Sequence, residues 1–375
     1  MFFNSMSSEI IEINDTRTCT DFKGITFSNF NKAQVKKELV KSLMDNKIEN
    51  SCYWCAEFIC AGHYSDLWDS ILYFYSKHIH LGNPKLSIYL DLKIQSFKEI
   101  IGNVHAMAEL NLRNNIKIRK LFCEIICILC FSKRKHSFDE IKVNSKMDFD
   151  ITSLSDKFKA DNKSYASTIM LPDDPKELFF AVNEFAYNIS KDVRNSITAC
   201  YWVEWIIEFE NICKQKKQKI RGEKRPAIPV DGKDQTHIIW IIWDVLLKES
   251  ESNHSLLIQK IIKSLLNLFC LKYSTGSSKK RRYLLYLAIS LLTEKIKIED
   301  DILKDKDKVA VIIGNINNVY AQIKKNEKSP VVIIPSNAKN ANLVKTITKL
   351  EKMNSFEECF IPRLLVECDI DIENF

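Results

Sequence analysis

Glycine and proline are scarce in this chain, and their scarcity constrains the fold more than any other feature. Each occurs only 8 times in 375 residues, whereas glycine alone makes up about 7% of an average protein. Hairpins and tight turns depend on these two residues, so we predict a predominantly helical, all-α fold. The same scarcity argues against glycine-rich loops that cradle phosphate groups.

The stretch 51–84 shows the helical pattern most clearly. Its apolar residues recur at the spacing of a helix face, first at Cys52, Cys55, Ala56, Ile59 and Cys60, then at Leu67, Trp68, Ile71, Leu72 and Tyr75. Gly62 is expected to end the first helix in the left-handed conformation. Ser65 and Asn83-Pro84 are typical of helix starts, so they predict new helices at both points.

This pattern divides the whole chain into segments of an all-α multi-helix bundle or helical array. We predict an extended arm over 1–30 with a short strand at 24–27, a helical bundle over 31–136, a connector over 137–172, a second bundle over 173–296, and a charged linker, one helix and an irregular tail over 297–375. Helices within these segments are predicted near 32–44, 84–101, 114–131, 235–248, 254–272, 281–294 and 309–325.

The two predicted bundles share a sequence echo. Cys52-Tyr53-Trp54 recurs as Cys200-Tyr201-Trp202, and the segment 118–130 has its Ile, Lys and final Cys where 258–270 has them. This echo predicts two related halves. Chance similarity between Ile- and Leu-rich segments is the alternative.

The cysteines predict packing rather than metal binding. Most of the 12 lie on apolar helix faces, which favours small buried side chains in a reducing compartment. The CxxC pairs 52/55 and 127/130 match the helical period and lack a suitably spaced second pair, so we predict no metal site and no cofactor. No apolar run reaches the roughly 18 residues of a membrane span, and no leader is recognisable, so we expect an intracellular protein.

No catalytic motif is present in the sequence, so we predict a protein that is not an enzyme and has no catalytic residue. The phosphate-binding patterns GxxxxGK[ST] and GxGxxG are absent. Asp173-Asp174 precedes a proline, where capping of a helix explains it. Asp300-Asp301 lies in a charge run that is typical of a solvated surface.

Two clusters of basic residues predict a nucleic-acid interface in this chain of net charge +7. Their members are Lys214, Lys216, Lys217, Lys219, Arg221, Lys224 and Arg225 in the first cluster, and Lys279, Lys280, Arg281 and Arg282 in the second. Phosphate contact needs dense positive charge, and basic residues at a helix N-terminus oppose the helix dipole. A solvated loop, or a nuclear import signal at 279–282, would explain the same residues. Trp202, Trp205, Trp240 and Trp243 favour core packing over a stacking platform, which would need exposed rings.

Residues 35–84 resemble the helical collar domain of clamp-loader-type AAA+ ATPases, through Tyr53-Trp54, Ala61-Gly62 and Gly82-Asn83-Pro84. That resemblance implies a bundle used for oligomer contacts, without ATP hydrolysis because the ATPase module is missing. The whole chain, including TACYWVEWIIEF and KKRRYLL, is similar to an uncharacterised protein family of nucleocytoplasmic large DNA viruses. This similarity implies a location in the viral factory of the host cytoplasm or in the nucleus.

These features together lead us to expect a non-enzymatic helical scaffold in viral DNA replication or transcription. Its basic loops would contact nucleic acid, and its helix faces would bind protein partners in a homo- or hetero-oligomer, with no membrane partner. The alternative is a protein-interaction or virion structural component without nucleic-acid binding. A third possibility, an unrecognised enzyme, would require a polar pocket that the sequence does not indicate.

Overall fold

The computed structural model of the protein describes residues 11–102, 110–296, 298, 302 and 305–328. Within these ranges the chain forms helices joined by turns, and the only β-pairing is two isolated bridges. The prediction of an all-α fold is therefore confirmed. The described residues belong to one compact unit, and none of their helices is both long and apolar enough to span a membrane.

The first set of helices covers residues 32–131. Its members are α1 (Lys32–Met44), α2 (Ile48–Cys60), α3 (Tyr64–Phe74), a π-helix (Tyr75–Ile79), α4 (Leu86–Ile101), a 3-10 helix (Asn111–Asn114) and α5 (Ile116–Phe131). The predicted helix over 32–44 is confirmed at both ends. Asn31 starts α1 and Asn115 starts α5, because each side-chain oxygen accepts backbone N–H bonds of the first turn.

The second set of helices covers residues 151–324. Its members are α6 (Ile151–Ser155), α7 (Ser164–Ser167), a 3-10 helix (Lys176–Leu178), α8 (Phe179–Ile189), α9 (Ser196–Gln215), α10 (Ile239–Asn253), α11 (Leu256–Cys270), α12 (Ser277–Lys280), α13 (Arg282–Thr293), α14 (Lys306–Gly314) and α15 (Asn317–Lys324). The single helix predicted near 309–325 is wrong, since two helices meet at 315–316. Asn315 ends α14, and its Nδ2 donates to the Val311 carbonyl at 2.9 Å.

Two of the predicted helix starts are also wrong. Helix α3 begins at Tyr64, so Ser65 lies inside it and does not cap it. Helix α4 begins at Leu86, and Asn83 instead donates from Nδ2 to Ser132 Oγ at 3.3 Å and to the Ile302 carbonyl at 3.2 Å. The turn before α4 packs closely against the segment after α5. A Cβ on Gly82 would lie only 2.3 Å from the Lys133 carbonyl oxygen, so this close approach requires glycine. By contrast, Gly62 ends α2 at φ +73°, as predicted.

The N-terminal segment packs against the helices over its described part, 11–30. Phe22 and Phe27 are fully buried, and the Arg17 guanidinium lies 4.8 and 4.7 Å from their ring centroids. The predicted strand at 24–27 is wrong, because only one isolated bridge forms, between Ile25 and Asn31. Residues 1–10, the charge run around 300 and the tail from 329 onward lie largely or wholly outside the described residues.

Helices from both predicted bundles share one hydrophobic core. Helix α4 packs on α11, and α13 packs on α9 and on the π-helix, while α14 and α15 pack on α5 and α2. The α4–α11 contact includes a hydrogen bond from Asn267 Nδ2 to Asp91 Oδ2 at 2.8 Å. The relation between the two halves as sequence repeats stays a prediction.

The predicted connector, 137–172, is folded onto α9. The Phe149 ring stacks on Trp205 with 4.6 Å between centroids, and the Trp205 indole donates to the Asp148 carbonyl at 2.8 Å. All four tryptophans named in the sequence are buried, Trp202, Trp240 and Trp243 fully and Trp205 to within 2% exposure. Their prediction as core residues is confirmed, and none of them forms a stacking platform.

Candidate nucleic-acid interface

The predicted basic residues fall into an exposed group and a buried group. The exposed group consists of Lys214, Lys216, Lys217, Lys219, Arg221, Lys224, Lys279 and Lys280. Arg225, Arg281 and Arg282 are buried, with 5%, 8% and 4% of their surface exposed. Only the exposed group can offer charge to a polyanion in solution.

Arg225 holds the end of the first basic loop against the start of the α8 region. Its guanidinium donates to both carboxylate oxygens of Asp174, at 2.7 and 2.6 Å, and to Asp244 at 2.8 Å. Asp174 also accepts from the backbone N–H groups of Leu171 and Glu223. Burial alone would raise the pKa of Asp174, but these hydrogen bonds and the Arg225 charge outweigh it and lower that pKa. The prediction that Asp174 caps a helix is wrong, because the carboxylate is the partner of Arg225.

Arg281 and Arg282 serve the interior in a similar way. Arg281 donates to the Phe269 and Leu271 carbonyls at 2.7 and 2.6 Å, which satisfies the C-terminal end of α11. Arg282 forms an ion pair with buried Glu204 at 3.2 Å, and burial raises the pKa of that carboxyl. These two arginines are therefore held at the start of α13 by acceptors within the protein. Their positive charge at a helix N-terminus, which the sequence alone explains by a nucleic-acid partner, is explained by these internal contacts.

A groove with lysines at its rim lies where α1, α3 and α12 meet. Its cavity volume is about 530 Å³. We call it the lysine groove, and its lining residues are Lys36, Lys37, Val40, Lys41, Asp69, Ser70, Leu72, Tyr73, Ser76, Lys280, Arg281 and Leu284. The lysines come from α1 and α12, while the apolar side chains and Tyr73 form the floor.

The charges of the lysine groove are mostly unopposed. Lys36 shares Asp66 with Lys32, and Asp69 pairs with Arg281 at 2.9 Å. Across the described part of the chain, no carboxylate lies within ion-pair distance of the ammonium groups of Lys37, Lys41 or Lys280. The groove therefore presents a positive rim above an apolar floor.

The sequence pattern identifies one of these lysines as a candidate site residue and gives no such indication for the other three. Lys280 belongs to the second basic cluster, whereas Lys36, Lys37 and Lys41 lie on α1, about 240 positions earlier. Lys37 and Lys41 are four residues apart and so share one face of a helix. That spacing was the available signal, but only the fold brings α1 beside α12.

A chain of hydrogen bonds that runs from exposed Lys214 into the interior connects the two basic clusters. Lys214 pairs with Glu210 at 2.7 Å, Glu210 contacts His237 Nε2 at 2.8 Å, and His237 Nδ1 contacts the Tyr273 hydroxyl at 3.1 Å. The Tyr273 hydroxyl also contacts Ser278 Oγ at 3.0 Å, next to Lys279. The loop after α9 and the α12 segment are thus anchored to one polar network.

This network contains groups that also occur in acid–base sites. Burial would raise the pKa of Glu210, yet the hydrogen bonds from His237 and Lys214 lower it, so the carboxylate stays ionised. Burial raises the pKa of Tyr273, so its phenol keeps its proton. Ser278 is only 2% exposed, so its hydroxyl is buried within this network.

The exposed lysines and the groove floor define what this surface can bind. Ammonium groups are compact donors to phosphate oxygens, and an apolar floor that includes an aromatic ring suits a planar or apolar group. Comparison of the chain with protein-family models, with curated proteins and with solved structures finds no match to any of the three.

Proposed function

We propose that this protein is a non-enzymatic helical scaffold that binds nucleic acid at the lysine groove and the neighbouring basic loops. One observation carries the proposal. Lys280, from a basic cluster predicted to bind nucleic acid, lines the same cavity as Lys37 and Lys41 of a distant helix. Convergence of unpaired ammonium groups from separate elements is what binding to a phosphate backbone requires.

The dimensions of the groove support the same ligand. Its volume of about 530 Å³ lies within the range of about 300–1,000 Å³ that is typical of ligand sites. A nucleotide has an anionic part for the lysine rim and a planar base for the floor near Tyr73. In the setting that the sequence resemblance implies, the scaffold would hold a strand during replication or transcription of a large DNA virus.

Charge reversal in the groove tests this proposal. We expect Lys37→Glu, Lys41→Glu and Lys280→Glu together to weaken binding of a fluorescent single-stranded oligonucleotide by about 10-fold or more, measured by anisotropy. The matched control reverses Lys117, Lys260 and Lys263, which are also exposed but lie outside the groove. An equal loss of binding in both triple variants, or no loss in the groove variant, would contradict the proposal.

The alternative function, a protein-interaction or virion structural component, is favoured by a different observation. Leu256 and Ile197 lie in the first turns of α11 and α9, with 82% and 62% of their surface exposed. Large exposed apolar side chains are candidates for burial by a partner. If the protein lacks affinity for oligonucleotides, and Leu256→Ser with Ile197→Ser abolishes self-association in analytical ultracentrifugation, this alternative replaces our proposal.

A further inference from the structure

Three cysteine thiols meet where α2 packs on α5. Cys52 comes from α2, and Cys123 and Cys127 lie one turn apart on α5. Their sulfur atoms all lie within 4.8 Å of one another, and the Cys52 and Cys123 sulfurs are 4.0 Å apart. The cluster takes one member from each CxxC pair and adds Cys123, so neither pair forms it alone.

The geometry of the cluster fits a metal ion at its centre. Zinc–sulfur bonds are about 2.3 Å long, so three sulfurs around one ion lie about 3.8–4.0 Å apart in tetrahedral or trigonal arrangements. The observed separation of 4.0 Å between Cys52 and Cys123 has this value. Small rotations about the cysteine side-chain bonds would bring Cys127 to the same spacing.

We propose that Cys52, Cys123 and Cys127 bind one thiophilic d10 metal ion, Zn²⁺ or Cu⁺, between α2 and α5. Thiolates select these ions over hard cations such as Mg²⁺ and Ca²⁺. Binding would release the thiol protons to solvent as the metal–sulfur bonds form. The ion would link two central helices of the core, so its role in this proposal is structural.

The arrangement of the cluster distinguishes it from the other buried cysteines. In the part of the chain that the structure describes, it is the group of three metal-binding side chains whose ligand atoms all lie within 4.8 Å of one another. Cys200 and Cys270 are also buried, on α9 and α11, but belong to no such group. The packing of α2 on α5 therefore places these three sulfurs, unlike the others, within reach of one ion.

Participation of Cys55 as a fourth ligand would distinguish Zn²⁺ from Cu⁺. It lies one turn after Cys52 on α2 and is buried, but it is not within the three-sulfur cluster. Structural zinc needs a fourth ligand, which Cys55 could supply, whereas Cu⁺ is stable with three sulfurs. Glu124, the nearby acid, is already engaged by the Tyr89 hydroxyl and by Lys93.

Metal content of the full chain tests the proposal. The protein is purified without chelators under reducing conditions, incubated with Zn²⁺ or Cu⁺, passed over a desalting column and analysed by mass spectrometry of its metals. We expect one ion per chain in the wild type and in the matched control Cys200→Ala/Cys270→Ala, and none in Cys123→Ala/Cys127→Ala. Loss of Zn²⁺ but not Cu⁺ in Cys55→Ala would identify Cys55 as the fourth ligand of zinc.

A second measurement needs no variant and so does not depend on the folding of one. Co²⁺ replaces zinc in thiolate sites and gives sulfur-to-metal charge-transfer absorption whose intensity reports the number of bound thiolates. We expect absorption corresponding to three or four thiolates in the wild-type chain. Wild-type protein that retains no metal and shows no such absorption, or a double variant that retains as much metal as the wild type, would overturn the proposal.

Discussion

The loop 214–225 and the segment 279–282 have similar composition but use their charge differently. In the loop only Arg225 is buried, and the remaining basic residues are exposed. In the segment both arginines are buried, and Lys280 lines the lysine groove. The planar guanidinium can satisfy several buried acceptors at once, whereas the ammonium group stays hydrated at the surface. Density of basic residues in a sequence therefore overstates the charge that a folded protein presents.

Removal of a buried arginine should have the largest effect on stability. Arg225→Ala leaves Asp174 buried without its partner, and we expect a loss of about 3–5 kcal/mol in the free energy of unfolding. Chemical denaturation measures it. The matched control is Arg221→Ala, an exposed arginine of the same loop that we expect to change stability by less than about 0.5 kcal/mol. Similar losses in the free energy of unfolding for the two variants would contradict the different roles assigned to the buried and exposed arginines.

The Asp174–Arg225 pair should also make stability depend on pH. The pKa of Asp174 is lowered from its ordinary value of 3.8, so the pair stabilises the fold fully above that pH. This stabilisation is lost as pH falls through the lowered pKa and the carboxylate takes up a proton. We expect the stability difference between wild type and Asp174→Asn to be largest near neutral pH and to shrink in acid. A difference that stays constant in denaturation curves down to pH 2 would contradict the assignment.

The exposed lysines should affect binding rather than stability. We expect reversal of Lys37, Lys41 and Lys280 to weaken oligonucleotide binding more than reversal of Lys216, Lys217 and Lys219, which do not line the lysine groove. The difference in affinity should be about 3- to 10-fold, with both variants as stable as the wild type within about 0.5 kcal/mol. A stronger effect of the loop variant would indicate that the loop, and not the groove, is the main nucleic-acid interface.

The smallest effect is expected in the network that links the two regions. Tyr273→Phe removes the hydroxyl between His237 and Ser278, and we expect a stability loss of about 1 kcal/mol. Thermal unfolding measures it, with Tyr89→Phe, which loses its hydrogen bond to Glu124, as a control outside the network. If oligonucleotide affinity also falls in Tyr273→Phe alone, the network contributes to binding and is more than a structural link.

Local sequence signals predicted most helices but only some of their ends. The bounds of α1 and the left-handed glycine after α2 follow from nearby residues, so they could be predicted. The start of α4 could not, because it depends on contact between Gly82 and the backbone at Lys133, which is distant in sequence. The break between α14 and α15 could not be predicted from the hydrophobic periodicity either, since apolar residues continue at helical spacing through it.

The candidate sites depended even more on distant contacts. Arg225 is neutralised by a carboxylate 51 positions away, so its burial could not be inferred from the basic loop. Gly222 also lies close to this carboxylate, since a Cβ there would be 2.9 Å from an Asp174 oxygen. The cysteine cluster likewise combines α2 and α5, with 71 positions between Cys52 and Cys123. Spacing rules applied within one helix cannot detect a site built across two.

The salt dependence of oligonucleotide binding tests most directly whether unpaired lysines of the groove form the interface. Each phosphate contact to a single strand contributes about 0.7 to the slope of log affinity against log salt concentration. We expect Lys37→Gln, Lys41→Gln and Lys280→Gln together to lower that slope by about two, while Lys117→Gln, Lys260→Gln and Lys263→Gln leave it unchanged. Parallel lines for the wild type and the groove variant would contradict the central claim.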